Sequence, residues 1–357
     1  MVLAARGQPE EYRPGPYWDA HTRAAVRQIK RHGLADFRGA TSTIGTSFAD
    51  NPYTDIRGEL DTTRGRPLKF LLERVFPFSR IMDAQVAMTR SHARDSNALM
   101  AARMVESAEA QQLLAKYEMP NSLLGGCSVA ARFGDGALSL HYLRLLQLID
   151  RVRRFAPLDD ARSVFEIGGG FGANVHLLIE LFPLLRKIVY LDVPPNLYVG
   201  TCYLRTLYGA AVRDFSETKS LATISFRDDD SLEILAICPW QIEALDLHVD
   251  LFWNANSFVE MPWSVVSNYA TRVLGLPGAS GTNIVLVTYG GAESNTIAAE
   301  ELPHAFSGRE FVGEEFWMLG WPNETCVDPE RDAIWKSFLF VSRGVPASEA
   351  ALTARIG

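Results

Sequence analysis

Residues 163 to 182 constrain this chain more than any other stretch. Ser163 to Ile167 reads as a short apolar strand that runs without a spacer into Gly168-Gly169-Gly170-Phe171-Gly172. A helix follows at once, Ala173 to Phe182, with Val175, Leu178, Ile179 and Phe182 on one face and Pro183 closing it. A strand, a glycine turn and a helix in immediate succession put backbone N–H groups and a helix N-terminus beside a ligand. Glycine suits such a turn because it is tight and because a Cβ would obstruct the ligand's approach. The alternation then continues. Lys187 to Asp192 reads as a strand and Leu197 to Tyr208 as a helix, with further strands at Glu233 to Cys238, Val249 to Trp253, Asn283 to Thr288 and Lys336 to Ser342. The expected fold is α/β: a doubly wound, mostly parallel, Rossmann-like sheet covered on both faces.

Up to about residue 155 the texture is different. Trp18 to Lys30 reads as a helix. Asp95 or Ser96 is placed to cap another that runs to about Tyr117, and Ser139 a third running to Phe155, on which Tyr142, Leu145, Leu146, Ile149 and Val152 form an apolar stripe. The chain is therefore expected to hold a mainly helical N-terminal domain, 1–155, for substrate recognition or as a cap. The Rossmann-like domain is expected at 156–357, with an insertion at about 293–335 that carries Trp317, Trp321 and Trp335 and covers a pocket. The formal net charge of −7 argues against a general nucleic-acid binder. The four cysteines are scattered and form no zinc or disulfide framework. No apolar run is long enough for a bilayer, and the first residues lack the form of a signal peptide, so a cytoplasmic protein without membrane or nucleic-acid partners is expected.

The glycines by themselves do not choose a ligand, since Gly168, Gly170 and Ala173 also satisfy the G-x-G-x-x-A form of a dinucleotide site. Two acids narrow the choice. Glu166 lies two residues before the first glycine, and a carboxylate at the end of a buried strand is costly unless something pairs with it. S-adenosylmethionine brings an α-ammonium and a sulfonium; a dinucleotide brings neither. Asp192, ending the next strand, is placed to accept both ribose hydroxyls of either cofactor. A tight turn with no ligand, and a capped structural Glu166, is the plain alternative.

The pattern from Glu166 to Gly172 resembles the first motif of the class I S-adenosylmethionine-dependent methyltransferases. Asn254, Ser257, Phe258, Glu260 and Met261 resemble the N-x-x-S-F-x-E-M strand-loop of a sugar O-methyltransferase family, and Leu191-Asp192-Val193-Pro194 with Leu197-Tyr198 resembles its second-strand motif. The resemblance covers about Ser163 to Arg272 and fades on either side. It implies methyl transfer from S-adenosylmethionine to a sugar or amino sugar, on oxygen or nitrogen, and related members are linked to amino-sugar N-methylation in streptomycin-like pathways. A methyltransferase of another small metabolite such as a phenol, and a non-catalytic or NAD-binding nucleotide fold, are the alternatives.

In that reading Glu166, Gly168, Gly169, Gly170 and Asp192 hold the cofactor. Asn254, Asn256 and Ser257 position the methionine moiety or the acceptor, and Trp240 and Gln241 edge the adenine, though a core tryptophan suits Trp240 equally. Glu260 is the first candidate for a general base, because a hydroxyl acceptor must lose its proton as the bond forms; capping a helix that starts near Pro262 is its alternative role. His304 and His141 are further candidates for base or substrate contact. His176 reads as a packed residue and His248 as a loop residue. No cluster has metal-ligand spacing, and no metal is expected. Thr41 to Arg57, with Ser47, Asn51, Tyr53, Asp55 and Arg57, has a sugar-binding composition, and the N-terminal helices are candidates for a cap core or a homodimer face.

Overall fold

A computed structural model describes residues 1–13, 16–38, 99, 101–121, 123–127, 130–290, 296–319 and 336–345. The chain divides into two compact units, one of Met1–Tyr17 with Leu145–Gly357 and one of Trp18–Arg144. The first seventeen residues thus group with the sheet, and the division falls at residue 144, not at 155.

The chain opens with the short helix α1 (Val2–Ala5), followed by α2 (Pro16–His32). In the Trp18–Arg144 unit, residues 101–106 are helical and Ser107 then separates them from α3 (Ala108–Lys116). The Ser107 hydroxyl accepts from the Ala110 amide at 3.3 Å, so the expected single helix breaks where a serine can cap a second one. Asp95 and Ser96 lie outside the described residues. Strands β1 (Ala130–Phe133) and β2 (Gly136–Ser139) pair as a hairpin around Gly134, whose φ is +54°. This hairpin adds two short strands to a region expected to be mainly helical. Arg38 is fully buried, donating to the Leu124 carbonyl at 3.0 Å and to Ser139 Oγ at 2.8 Å.

Helix α4 (Leu140–Val152) crosses the division. The sheet unit then continues with β3 (Ser163–Ile167), α5 (Ala173–Leu181), β4 (Lys187–Leu191), α6 (Pro194–Tyr208), β5 (Val212–Arg213), α7 (Phe215–Thr218) and β6 (Glu233–Ile237). It closes with β7 (Leu251–Ala255), α8 (Trp263–Leu274), β8 (Asn283–Tyr289), β9 (Val312–Trp317) and β10 (Lys336–Ser342). Among the described residues these strands make one sheet in the order β5-β6-β4-β3-β7-β8-β10-β9. All pairs are parallel except those of β10, which runs antiparallel to β8 and β9. That order, with one reversed strand near an edge, is the mostly parallel α/β sheet expected from the alternation of strands and helices. Residues 296–319 are not a plain insertion, because they contribute the edge strand β9 and the 3-10 helix Ala299–Ala305.

The central strands are buried on both faces, as parallel strands between helices must be. Phe165, Ile167, Val189, Leu235, Phe252 and Leu286 build one core with Val266, Tyr269, Ala270 and Val273 of α8. Tyr12, from the start of the chain, sits in the same core and donates to Glu243 at 2.9 Å. Alternation along β3 turns Val164 and Glu166 to the opposite face, where Glu166 meets Asn174 of α5. At the amino edge, Asp250 accepts from the Arg162 and Ser163 amides, and the buried Glu233 accepts from Arg213 at 2.6 Å, Lys187 at 3.4 Å and the Arg227 amide at 2.7 Å. The carboxyl edge holds the candidate site.

Candidate functional site

Where β3 ends, the chain must turn sharply to start α5. Gly168, Gly170 and Gly172 take φ values of +78°, +61° and +87°, the left-handed region that glycine occupies without strain. The Gly168 amide donates to the Leu191 carbonyl at 2.8 Å, tying the turn to the end of β4. A Cβ at Gly168 would strike Ser257. At Gly169 it would lie 2.8 Å from Glu166 Oε2 and 2.9 Å from the Tyr190 ring, and at Gly172 2.9 Å from Leu204. Three of the four glycines are therefore also required by the chain's own packing, beyond the tight turn and the ligand clearance expected from the sequence.

Beneath the turn lies Glu166, 3% exposed. Its Oε1 accepts from Asn174 Nδ2 at 2.9 Å, while its Oε2 and Asn174 Oδ1 are buried without a hydrogen-bond partner. Burial pushes the Glu166 carboxyl up to about 8, the Asn174 bond pulls it back, and the neighbouring Asp192 raises it further. Asp192, at the end of β4, accepts from the Gly170 amide at 2.8 Å and from its neighbour Val193 at 2.7 Å. Burial carries Asp192 to about 7 against these bonds and one from Asn196, and Glu260 adds a smaller push upward. Asp192 thus already holds the turn in place. A carboxylate offers about four acceptor positions, so with three taken it keeps about one for a ligand's hydroxyl.

Three residues of this network were not anticipated from the sequence. Asn174 follows Glu166 by eight residues, one polar side chain in the first turn of a largely apolar helix. Tyr190 donates its hydroxyl to the Gly170 carbonyl at 2.5 Å, and Gly200 on α6 leaves room for that hydroxyl, since a Cβ there would collide with it. Tyr289, at the end of β8, donates to Glu260 Oε1 at 2.7 Å. A tyrosine ending an apolar strand carries no sequence signal that sets it apart from core residues.

The remaining candidates separate by place. Asn254, buried at the end of β7, donates to the Ile167 carbonyl at 2.9 Å and to Ser257 Oγ at 2.6 Å and accepts from the Phe258 amide at 3.3 Å. Asn254 and Ser257 therefore fasten the loop after β7 to the end of β3. Asn256 takes a φ of +67°, with its amide bonded to the Val287 carbonyl. Glu260 does not cap α8, whose N-cap is Pro262 without a side-chain bond; it closes a 3-10 turn, Phe258–Glu260, and is half-buried. Gln241 is committed to its own turn, accepting from the Cys238 amide at 2.9 Å and donating to Thr218 at 3.0 Å. Trp240, half-buried in the same turn, meets Phe215 edge-on at 5.9 Å between ring centroids.

His304 is exposed on the 3-10 helix Ala299–Ala305. His141 lies on α4 within the Trp18–Arg144 unit, beside the Tyr142 ring. His176 is buried, its Nδ1 at 3.1 Å from the Tyr203 hydroxyl, as a packed residue should be. His248 bridges the Pro277 carbonyl and Asp250. Ser47, Asn51, Tyr53, Asp55, Arg57, Trp321 and Trp335 lie outside the described residues. Among the described residues, no group of three or more His, Cys, Asp or Glu side chains is arranged to hold a metal ion, and no helix is long and apolar enough to cross a membrane.

Two buried carboxyls thus lie at the carboxyl ends of adjacent strands. Among the described residues no Lys or Arg is paired with either. Buried carboxyls so placed are best matched by groups that bring positive charge or hydroxyl donors.

No family model matches the chain, and no curated protein matches it. Solved structures with some likeness include the mitomycin 7-O-methyltransferase MmcR, 14% identical over 68% of this chain and 59% of its own, with a TM-score of 0.35. An O-methyltransferase family protein from Burkholderia thailandensis is 11% identical over 57% of each chain, with a TM-score of 0.36. Human N-acetylserotonin methyltransferase, solved with S-adenosylmethionine, is 13% identical over 57% of this chain and 56% of its own, with a TM-score of 0.29. The chain spans under two thirds of the length of each of these three proteins.

Proposed function

We propose that the sheet unit is an S-adenosylmethionine-dependent methyltransferase acting on a small molecule. One observation carries the reading: Glu166 is fully buried under the glycine turn with Oε2 unpartnered, and no basic residue among those described is paired with it. An ammonium-bearing cofactor supplies the missing partner, and a nicotinamide dinucleotide does not. Bound there, S-adenosylmethionine supplies a methyl group on a positively charged sulfur. Glu166 would hold the ammonium, Asp192 a ribose hydroxyl, and the N-terminus of α5 the methionine carboxylate.

The protein's share of the chemistry is alignment and proton removal. Glu260 is the residue we assign to accept the acceptor's proton. It lies after β7 at the carboxyl edge, near enough to influence Asp192, and the hydrogen bond from Tyr289 favours its carboxylate form. The likeness of Asn254 to Met261 to the sugar O-methyltransferase motif supports a sugar or amino sugar as acceptor. Titration calorimetry with S-adenosylmethionine and with NAD tests the cofactor: micromolar binding of the former and none of the latter is expected, and binding of NAD alone overturns the reading. Asp192→Ala is expected to weaken S-adenosylmethionine binding by at least about tenfold, the equivalent of one lost charge-assisted hydrogen bond.

A further inference from the structure

We infer that Glu166 is a proton-exchanging carboxyl, neutral until a ligand brings an ammonium group beneath the glycine turn and ionised once that group is in place. The inference rests on the cofactor reading above and adds how the chain accommodates the charge.

The groups around Glu166 come from every element packed on it. Asn174 faces it from α5. Tyr190 and Trp253 stand beside it on the same sheet face, in register on β4 and β7. Asp192 follows β4, with Asn196 of α6 bonded to it and Glu260 in electrostatic reach. Tyr269 of α8 senses Asp192 from the other face. None of these groups is basic, and two besides Glu166 are carboxyls. Two neighbouring buried carboxyls do not both ionise readily, so the charge settles where more donors point. Asp192 has the Gly170 and Val193 amides and the Asn196 side chain; Glu166 has Asn174 alone. Asp192 therefore takes the charge and Glu166 keeps the proton.

Asn174 is suited to both states. Its amide N–H group serves the ionised carboxylate, and its Oδ1, buried and without a partner, can accept from a protonated carboxyl. A half-turn of the amide exchanges the two arrangements while the glycine turn, held by Asp192 and Tyr190, stays in place. When the ammonium arrives, the Glu166 O–H bond breaks, its electron pair stays on the carboxylate and the proton leaves to solvent.

Calorimetry in phosphate and in Tris, whose ionisation enthalpies differ widely, counts that proton. S-adenosylmethionine and S-adenosylhomocysteine, which both carry the ammonium, are expected to release close to one more proton at pH 7 than 5′-methylthioadenosine, which lacks it. A proton lost from Asp192 on binding ribose appears with all three and cancels in the difference. Affinity for S-adenosylmethionine should rise by up to about tenfold per pH unit below pH 7 and stop rising near pH 8, beyond which the ligand's own ammonium loses its proton. Glu166→Gln should bind it more weakly, with neither the extra proton nor that pH dependence. Should the variant fail to fold, the ligand series on the unaltered protein decides. Equal proton counts for all three ligands overturn the inference and leave the cofactor reading standing. Release with the donor but not with S-adenosylhomocysteine also overturns it, by making the sulfonium the partner. Absence of binding by any of the three overturns both.

Discussion

Gly169 lies over two groups that have little room to retreat. A methyl there would press on Glu166 Oε2 and on the Tyr190 ring, one held by Asn174 and the other by its bond to the Gly170 carbonyl. Overpacking of this kind typically costs about 1–3 kcal/mol, so Gly169→Ala should lower the urea midpoint by a matching amount and distort the turn. Glu166 also makes stability depend on pH. Its folded-state value of about 8 lies above the ordinary 4.5, so its contribution is full below about pH 4.5 and is lost as pH rises through 8. Melting temperatures measured from pH 5 to pH 9 should fall toward the alkaline end, and Glu166→Gln should flatten that fall. An unchanged slope in the variant would show that Glu166 ionises in the folded chain much as it does unfolded. At the opposite lip, Tyr289→Phe removes the donor that favours charged Glu260. With a true acceptor in hand, the acid limb of the pH–rate profile should move to higher pH while KM for the cofactor stays put.

At the scale of elements, what the sequence revealed and what it hid have separate physical causes. Strands β3, β4, β6, β8 and β10 are mostly apolar runs because they are buried on both faces, and runs of that sort are read within a residue or so. Strand β7 was expected two residues early, since Asn254 and Ala255 look like loop but pair with Leu286 and Val287. Helix α6 starts at Pro194, three residues before the expected Leu197, because proline suits the first helical position. Strand β9 was unreadable: Val-Gly-Glu-Glu-Phe-Trp has no alternation, and an edge strand with mostly exposed residues needs none. In the site, Glu166 and Asp192 were legible because an acid at the end of an apolar strand is anomalous, whereas Asn174 and Tyr289 act only through contacts made across the fold. One such contact lies at the end of β9. Buried Gln147 of α4 donates to the Trp317 carbonyl at 3.0 Å and accepts from the Leu319 amide at 2.9 Å. Gln147→Ala removes both hydrogen bonds, for about 1–3 kcal/mol together. Hydrogen exchange should show the Leu319 amide losing protection while β3 and β4 keep theirs.

Over the whole molecule, the sheet unit is built from two separate stretches of chain, and the smaller one places a tyrosine ring in the core of the larger. Tyr12 is 2% exposed in the core beside α8 and bonds Glu243, which also pairs with Arg272. Truncating a buried aromatic typically costs about 3–5 kcal/mol, so Tyr12→Ala should lower the melting temperature of the sheet unit, while Tyr12→Phe, losing only the hydroxyl bond, should cost about 1 kcal/mol. Equal melting curves for Tyr12→Ala and the unaltered chain would mean that the opening segment packs without contributing. The same ring has a bearing on how the molecule is made. Tyr12 leaves the ribosome long before Glu243 and α8 exist, and the segment that closes this core must wait, unpaired, through the synthesis of everything between them. Contacts so distant along the chain form late and slowly, so docking of the first residues should be the last step of refolding, and a nascent chain stopped before residue 272 should leave Tyr12 open to a protease that spares it in the finished protein.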